Sequence, residues 1–120
     1  MSQHFTSKEY YQGLVLSNFN SVVPPSTTLL GTAVPCVGLI LAYGIVYSSL
    51  ADVTVVIEQG SNDTGGILNF RHTNSVIIPA GDATMFSAPI RGRFIRVNIV
   101  NSGIGSPSVE TFVQMSSSNF

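Results

Sequence analysis

The stretch Ile-Arg-Gly-Arg-Phe-Ile-Arg-Val-Asn-Ile-Val-Asn at positions 90–101 restricts this chain more than any other. Ile95, Val97 and Ile99 share one parity, while Phe94, Arg96 and Asn98 share the other. That is the period of a strand with one face in a core and one outside. Val53, Val55 and Ile57 repeat the pattern against Thr54, Val56 and Glu58,. Val109, Thr111 and Val113 do so near the end. These nine inward-parity residues are the expected core face. Half-buried strands need a second layer to cover them, so the sequence must supply further strands or helices.

It supplies strands. From position 27 the chain falls into short apolar runs parted by turn residues, with no convincing amphipathic helix,. The expected strands cover 27–32, 36–41, 44–47, 53–59, 67–71, 75–78, 83–88, 94–100 and 109–115, the third merging with a neighbour to leave about eight. Pro35, Ser48-Ser49, the cluster Ser61-Asn62-Asp63-Thr64-Gly65-Gly66, Pro79-Ala80-Gly81-Asp82 and Pro89 punctuate them,. The strands around the Gly65-Gly66 cluster read as a hairpin with a longer loop. The fold class is therefore all-β, an antiparallel β-sandwich expected to be a single jelly roll over 27–120.

Residues 1–26 read as an N-terminal extended arm outside the strand pattern, set off by Pro24-Pro25,. Two readings stand. One is a disordered tail. The other is an arm that docks on a neighbouring subunit through Phe5, Tyr10, Tyr11, Leu14, Val15, Leu16 and Phe19, which give it more apolar surface than disordered tails carry,.

Charge is scarce. Only 9% of the 120 residues are charged and 44% are hydrophobic, whereas an ordinary soluble domain has about 25% charged residues. Depletion of this kind marks buried interface cores, so a subunit covered by its neighbours is the expected state. The net charge of −1 argues against direct nucleic-acid binding, because neutralising phosphates takes an excess of Lys and Arg,. Three of the five basic residues, Arg91, Arg93 and Arg96, nevertheless lie in or beside one strand. Arg91-Gly92-Arg93 fits a carboxylate or phosphate grip, and fits better an ion-paired role with the sparse acids, within the chain or between subunits.

Residues 29–47 are long and uncharged enough to test as a membrane span. Gly31, Pro35, Gly38 and Gly44 break them up too often for a helix, and no basic flank orients them, so a membrane role is not expected,. Cys36 is the only cysteine, which leaves no intrachain disulfide,. The first residues lack the basic and apolar regions of a secretory signal, and synthesis in a cytosol is expected.

Catalytic chemistry finds no anchor. His4 and His72 stand apart from each other and from any carboxylate at ligand spacing, no Gly-x-Ser-x-Gly motif occurs, and the Gly-rich spots lack the Lys of a phosphate loop,. No enzyme, metal or cofactor is expected. Asn62-Asp63-Thr64 matches a glycosylation acceptor but reads as turn chemistry. Asp52, Glu58, Asp63 and Asp82 offer oxygens to Ca²⁺ only if loops at one edge meet, and solvated loop carboxylates are the better reading.

The order of short motifs carries a resemblance over most of the chain. Ser-Thr-Thr-Leu-Leu-Gly at 26–31 is followed by an apolar run ending at Gly38 and by Tyr-Ser-Ser at 47–49 before an alternating strand. Ser-Asn-Asp at 61–63, Pro-Ala-Gly at 79–81, Gly-Arg-Phe-Ile-Arg-Val-Asn-Ile-Val-Asn at 92–101 and a closing strand complete it. This resembles the small, jelly-roll-like β-sandwich modules of virion proteins in tailed phages and large double-stranded DNA viruses. The chain departs from them at Gly65-Gly66, where the hairpin tip runs on, and at Phe70, where such modules often have Trp. The resemblance implies a virion part without catalysis.

Two functions follow. The first is a structural protein of a virus particle, such as a small capsid, vertex (penton) or decoration protein, assembling with itself and with other virion proteins. The second is a glycan- or receptor-binding module of a fibre or spike, favoured by Tyr43 and Tyr47. Exposed aromatics clustered on one loop face would speak for binding, and an arm crossing into a neighbour for assembly.

Overall fold

The computed structural model describes residues 15–61 and 70–117. They form an antiparallel β-sandwich of nine strands. In chain order these are β1 (Val15–Val22), β2 (Thr27–Leu29), β3 (Val34–Pro35), β4 (Leu41–Ser48), β5 (Val53–Gly60), β6 (Arg71–Ile78), β7 (Ala83–Pro89), β8 (Phe94–Asn101) and β9 (Ser108–Ser116). Sheet A has the order β1-β9-β4-β7. Sheet B has the order β2-β8-β5-β6, with β3 also paired to β8. The described residues contain no helix.

The pairing is nested. β5 pairs with β6, β4 with β7, β2 and β3 with β8, and β1 with β9, as in one long hairpin folded at the loop between β5 and β6. The extra ladders β4–β9 and β5–β8 arise where that hairpin rolls up on itself. This is the jelly-roll topology that the sequence led us to expect.

All nine expected core residues point inward, Val53, Val55, Ile57, Ile95, Val97, Ile99, Val109, Thr111 and Val113 being buried. Leu16, Val23, Cys36, Ala42, Val46, Ile78, Ala88 and Met115 complete the cluster between the sheets. Each fully buried Val or Ile contributes about 1.5–3 kcal/mol relative to an exposed one. Burial also raises the Cys36 thiol above its ordinary range, and the thiol donates to the Gly92 carbonyl at 3.2 Å.

Buried polar side chains tie the loops to this core. The Gln59 amide nitrogen donates to Pro89 O and to the Thr73 hydroxyl, each at 3.0 Å, while its oxygen accepts from the Arg91 and Gly92 amides. The β7–β8 turn is thereby clamped to β5. Asn101 does the same at the other end, donating to Pro24 O and Gly105 O at 3.0 Å and accepting from Gly103 N.

Several expectations need correction. The segment 15–22, assigned to the arm, is strand β1, hydrogen-bonded along β9 and carrying core residue Leu16. Only 1–14 of the expected arm, with Phe5, Tyr10 and Tyr11, lie outside the described residues. The run 36–41 is not a strand, because the chain turns at 36–39, with Gly38 at φ 89° and Leu39 N donating to Cys36 O. The strand expected over 27–32 stops at Leu29. Gly31 follows, its amide held by Asn98 Oδ1, with its Cα so close to the Val97 carbonyl that a Cβ would lie 2.1 Å from that oxygen. The brief run 44–47 belongs to an eight-residue strand, Leu41–Ser48. The piece at 75–78 joins Arg71 in one strand, β6, while 67–69 lie outside the described residues.

Candidate functional site

Inward and outward residues alternate along every strand, so the register of the sheets decides which side chains share an outer face. Across sheet A, Asn18 on β1 lies opposite Phe112 on β9, Phe112 opposite Ile45 on β4, and Ile45 opposite Met85 on β7. The flanking rows are Asn20, Glu110, Tyr47 and Ala83 on one side, and Gln114, Tyr43 and Ser87 on the other. An apolar row thus runs across three strands between two tyrosines. Met85 is 77% exposed, Ile45 41% and Phe112 39%. The Tyr43 hydroxyl donates to Gln114 Oε1 at 3.4 Å. Tyr43, Ile45, Met85 and Phe112 border a shallow concavity of about 530 Å³. Glu110 is the one charged residue in the four strands of this sheet.

Sheet B differs outside. Glu58 on β5 and Arg96 on β8 are cross-strand partners, and their side chains meet at 2.7 Å, with Arg96 Nε donating to the same carboxylate oxygen. The guanidinium also stacks 4.2 Å above the buried Phe70 ring,. Arg96 is therefore neutralised within the chain.

The other candidates scatter. Arg91 and Arg93 stand exposed in the β7–β8 turn, and no acid pairs with either among the described residues. Phe19 lies on β1, half-buried and packed against the core, its amide donating to the Thr111 hydroxyl at 3.3 Å. Phe5, Tyr10 and Tyr11 lie outside the described residues. Of the four acids considered for Ca²⁺, Glu58 is engaged by Arg96, Asp52 and Asp82 sit in separate loops, and Asp63 lies outside the described residues. Among the described residues no three His, Cys, Asp or Glu side chains gather at metal-binding distance.

The outer face of sheet A was only half visible in the sequence. The sequence offers Tyr43 and Tyr47 as a pair, yet they lie on a sheet face and not on a loop face. Ile45, Met85 and Phe112 are their companions through strand register, to which the two-residue period of β4, β7 and β9 is the cue in the sequence.

No protein-family model matches the chain, and no curated protein matches it. Solved structures share its fold. The PBSX exported protein XepA superposes with a TM-score of 0.71 at 16% identity, over 88% of this chain and 37% of that one. This chain thus spans little more than a third of the XepA chain. The Bacillus endospore appendages described as disulfide-linked pili give a TM-score of 0.54 at 15% identity, covering 83% of this chain and 82% of the other. PirA gives 0.54 at 12% identity, covering 82% and 92%.

Proposed function

We propose that this chain is a non-catalytic structural subunit of a virus-type particle, assembling with copies of itself and with other particle proteins through sheet A. The observation that carries the reading is the outer face of that sheet, where Ile45, Met85 and Phe112 lie in one exposed row and Glu110 is the single charge. Exposed apolar surface of this kind gains by being covered. A face low in charge is also what the core of an interface looks like. The fold shared with an exported protein and with subunits of pili supports a particle or appendage setting outside the cell.

A second reading rests on the same face. Tyr43, Tyr47 and Phe112 offer rings to stack on a sugar, and Asn18, Asn20 and Gln114 offer amides to hydrogen-bond its hydroxyls. Light scattering on the full chain separates the two. Assembly requires a mass that is a multiple of 12.7 kDa and rises with concentration. A chain that stays monomeric at high concentration and binds a glycan array is a recognition module.

A further inference from the structure

The face of sheet A ends in two strand edges, and these differ from the edges of sheet B. Free edges template pairing with another chain, and proteins guard them with short strands, proline or charge. Sheet B is guarded on both sides. One edge is broken into β2 and β3, of three and two residues, the latter ending in Pro35. The other, β6, begins with Arg71-His72 and pairs through a bulge at Ile57/Glu58. Sheet A has such guards only at its ends, a bulge between Val15 and Ser17 at the start of β1 and a proline at the end of β7. β1 (eight residues) and β7 (seven residues) contain no charged residue, and the only proline is Pro89 at the end of β7. Among the described residues no strand pairs with the outer edge of either.

Direction makes the two edges complementary. Sheet A has four strands and every ladder in it is antiparallel, so β1 and β7 run in opposite senses. A second copy set beside the first in the same orientation therefore presents its β1 antiparallel to β7, which is the ordinary geometry of the sheet continued. A groove of about 280 Å³ beside β1, between Leu16, Phe19 and the exposed Leu30, leaves that edge open to an incoming strand.

We infer that copies of this chain join head to tail by pairing β7 of one with β1 of the next, so that sheet A runs on from subunit to subunit. This names the surface used in the assembly reading and rests on that reading. The contact is heterologous, and closes into a ring if the rotation between copies allows and otherwise extends as a filament.

Backbone polarity selects the test. The Phe19 amide points at β9, so by alternation the amides of Asn18 and Asn20 point outward,. The Ile90 amide bonds to Ile40 on the β4 side, which leaves those of Ser87 and Met85 outward. Proline at an outward position removes an edge donor and blocks a new strand while leaving the internal ladder intact. The experiment is light scattering on the full chain, on Asn20→Pro, on Ser87→Pro, and on their equal mixture, with circular dichroism melting to confirm folding. Asn18→Pro and Met85→Pro replace either variant if it fails to fold. The wild type is expected to be oligomeric and each variant monomeric. The mixture should form a dimer and nothing larger, since one variant keeps a sound β7 and the other a sound β1. A variant that keeps the wild-type mass, a variant that dimerises alone, or a mixture that stays monomeric would each overturn head-to-tail pairing while leaving assembly by another surface standing. A wild-type chain that is monomeric at every concentration would overturn the assembly reading itself.

Discussion

Sheets A and B pack the same kind of core from opposite sides, yet their outer faces were built to different rules. Inside, Val109 and Val113 of sheet A and Val55, Ile57 and Ile95 of sheet B are equally buried. Outside, sheet B holds an internal ion pair, with Arg96 bound by Glu58 and stacked on Phe70, and carries the exposed Arg71 on its β6 edge. Sheet A instead presents Tyr43, Ile45, Tyr47, Met85 and Phe112 around a lone carboxylate. The difference separates two demands on a strand. Inward residues answer to the fold, which treats both sheets alike. Outward residues answer to whatever the sheet faces, and sheet A gathers Ile45, Met85 and Phe112 into one exposed row where the strands of sheet B expose Ile77 alone among their large apolar residues.

The severest test of the shared interior is a buried charge. Val97→Asp in sheet B and Val113→Asp in sheet A should each prevent folding, because an unpaired buried carboxylate costs several kcal/mol against a total stability of about 5–15 kcal/mol. Circular dichroism and thermal melting check it. A variant that melts normally would break the equivalence of the two inner faces.

Gly44 should come next. A Cβ there would lie 2.1 Å from the Phe112 carbonyl oxygen and 2.7 Å from Val113 Cα, both backbone atoms that cannot step aside. Gly44→Ala is expected to cost at least about 1–3 kcal/mol by forcing β4 and β9 apart, read as a fall in the urea midpoint.

The outer faces should respond more weakly and in opposite ways. Glu58→Gln removes the charge that holds Arg96, and about a fifth of each side chain is exposed. The loss should be about 0.5–1 kcal/mol and should shrink in high salt. Ile45→Ser on sheet A should change monomer stability by under about 1 kcal/mol, since the side chain is already 41% exposed,. It should lower the oligomer mass seen by light scattering. If Ile45→Ser costs more stability than Glu58→Gln and leaves the mass unchanged, the contrast between the sheets fails.

How much of this could be read in advance follows from the same division. β5, β8 and β9 were legible because their two faces differ in polarity, so parity alone named the core. β4 was not, because Tyr43, Ile45 and Tyr47 face out and Ala42 and Val46 face in, and a strand apolar on both faces has no alternation to read,. β1 was hidden for the opposite reason. Apart from Leu16 it buries little, and a bulge between Val15 and Ser17 breaks its register. At 36–41 the apolar residues Val37 and Ile40 suggest a strand, but Val37 is exposed on the turn that Gly38 makes and Ile40 is exposed just ahead of β4, its backbone bonded to Ser116 and Ile90. The candidate site was obscured by the first of these effects, since its residues come from three strands that only tertiary register brings into one row.

The nesting of the strands also sets the order in which the molecule can be made. Of the nested pairs, β5 and β6 lie nearest in sequence, and each pair outward from them closes a longer stretch of chain, until β1 meets β9 through Val22 and Ser108 at one end and Val15 and Gln114 at the other. Chains dominated by such distant pairings fold in milliseconds to seconds, far slower than helical bundles. On the ribosome, sheet A cannot close until β9 has emerged, and β1 and β4, made early, must wait for the strand that lies between them. During that interval two uncharged strands stand with unpaired backbone, so crowded synthesis favours their pairing with the wrong copy.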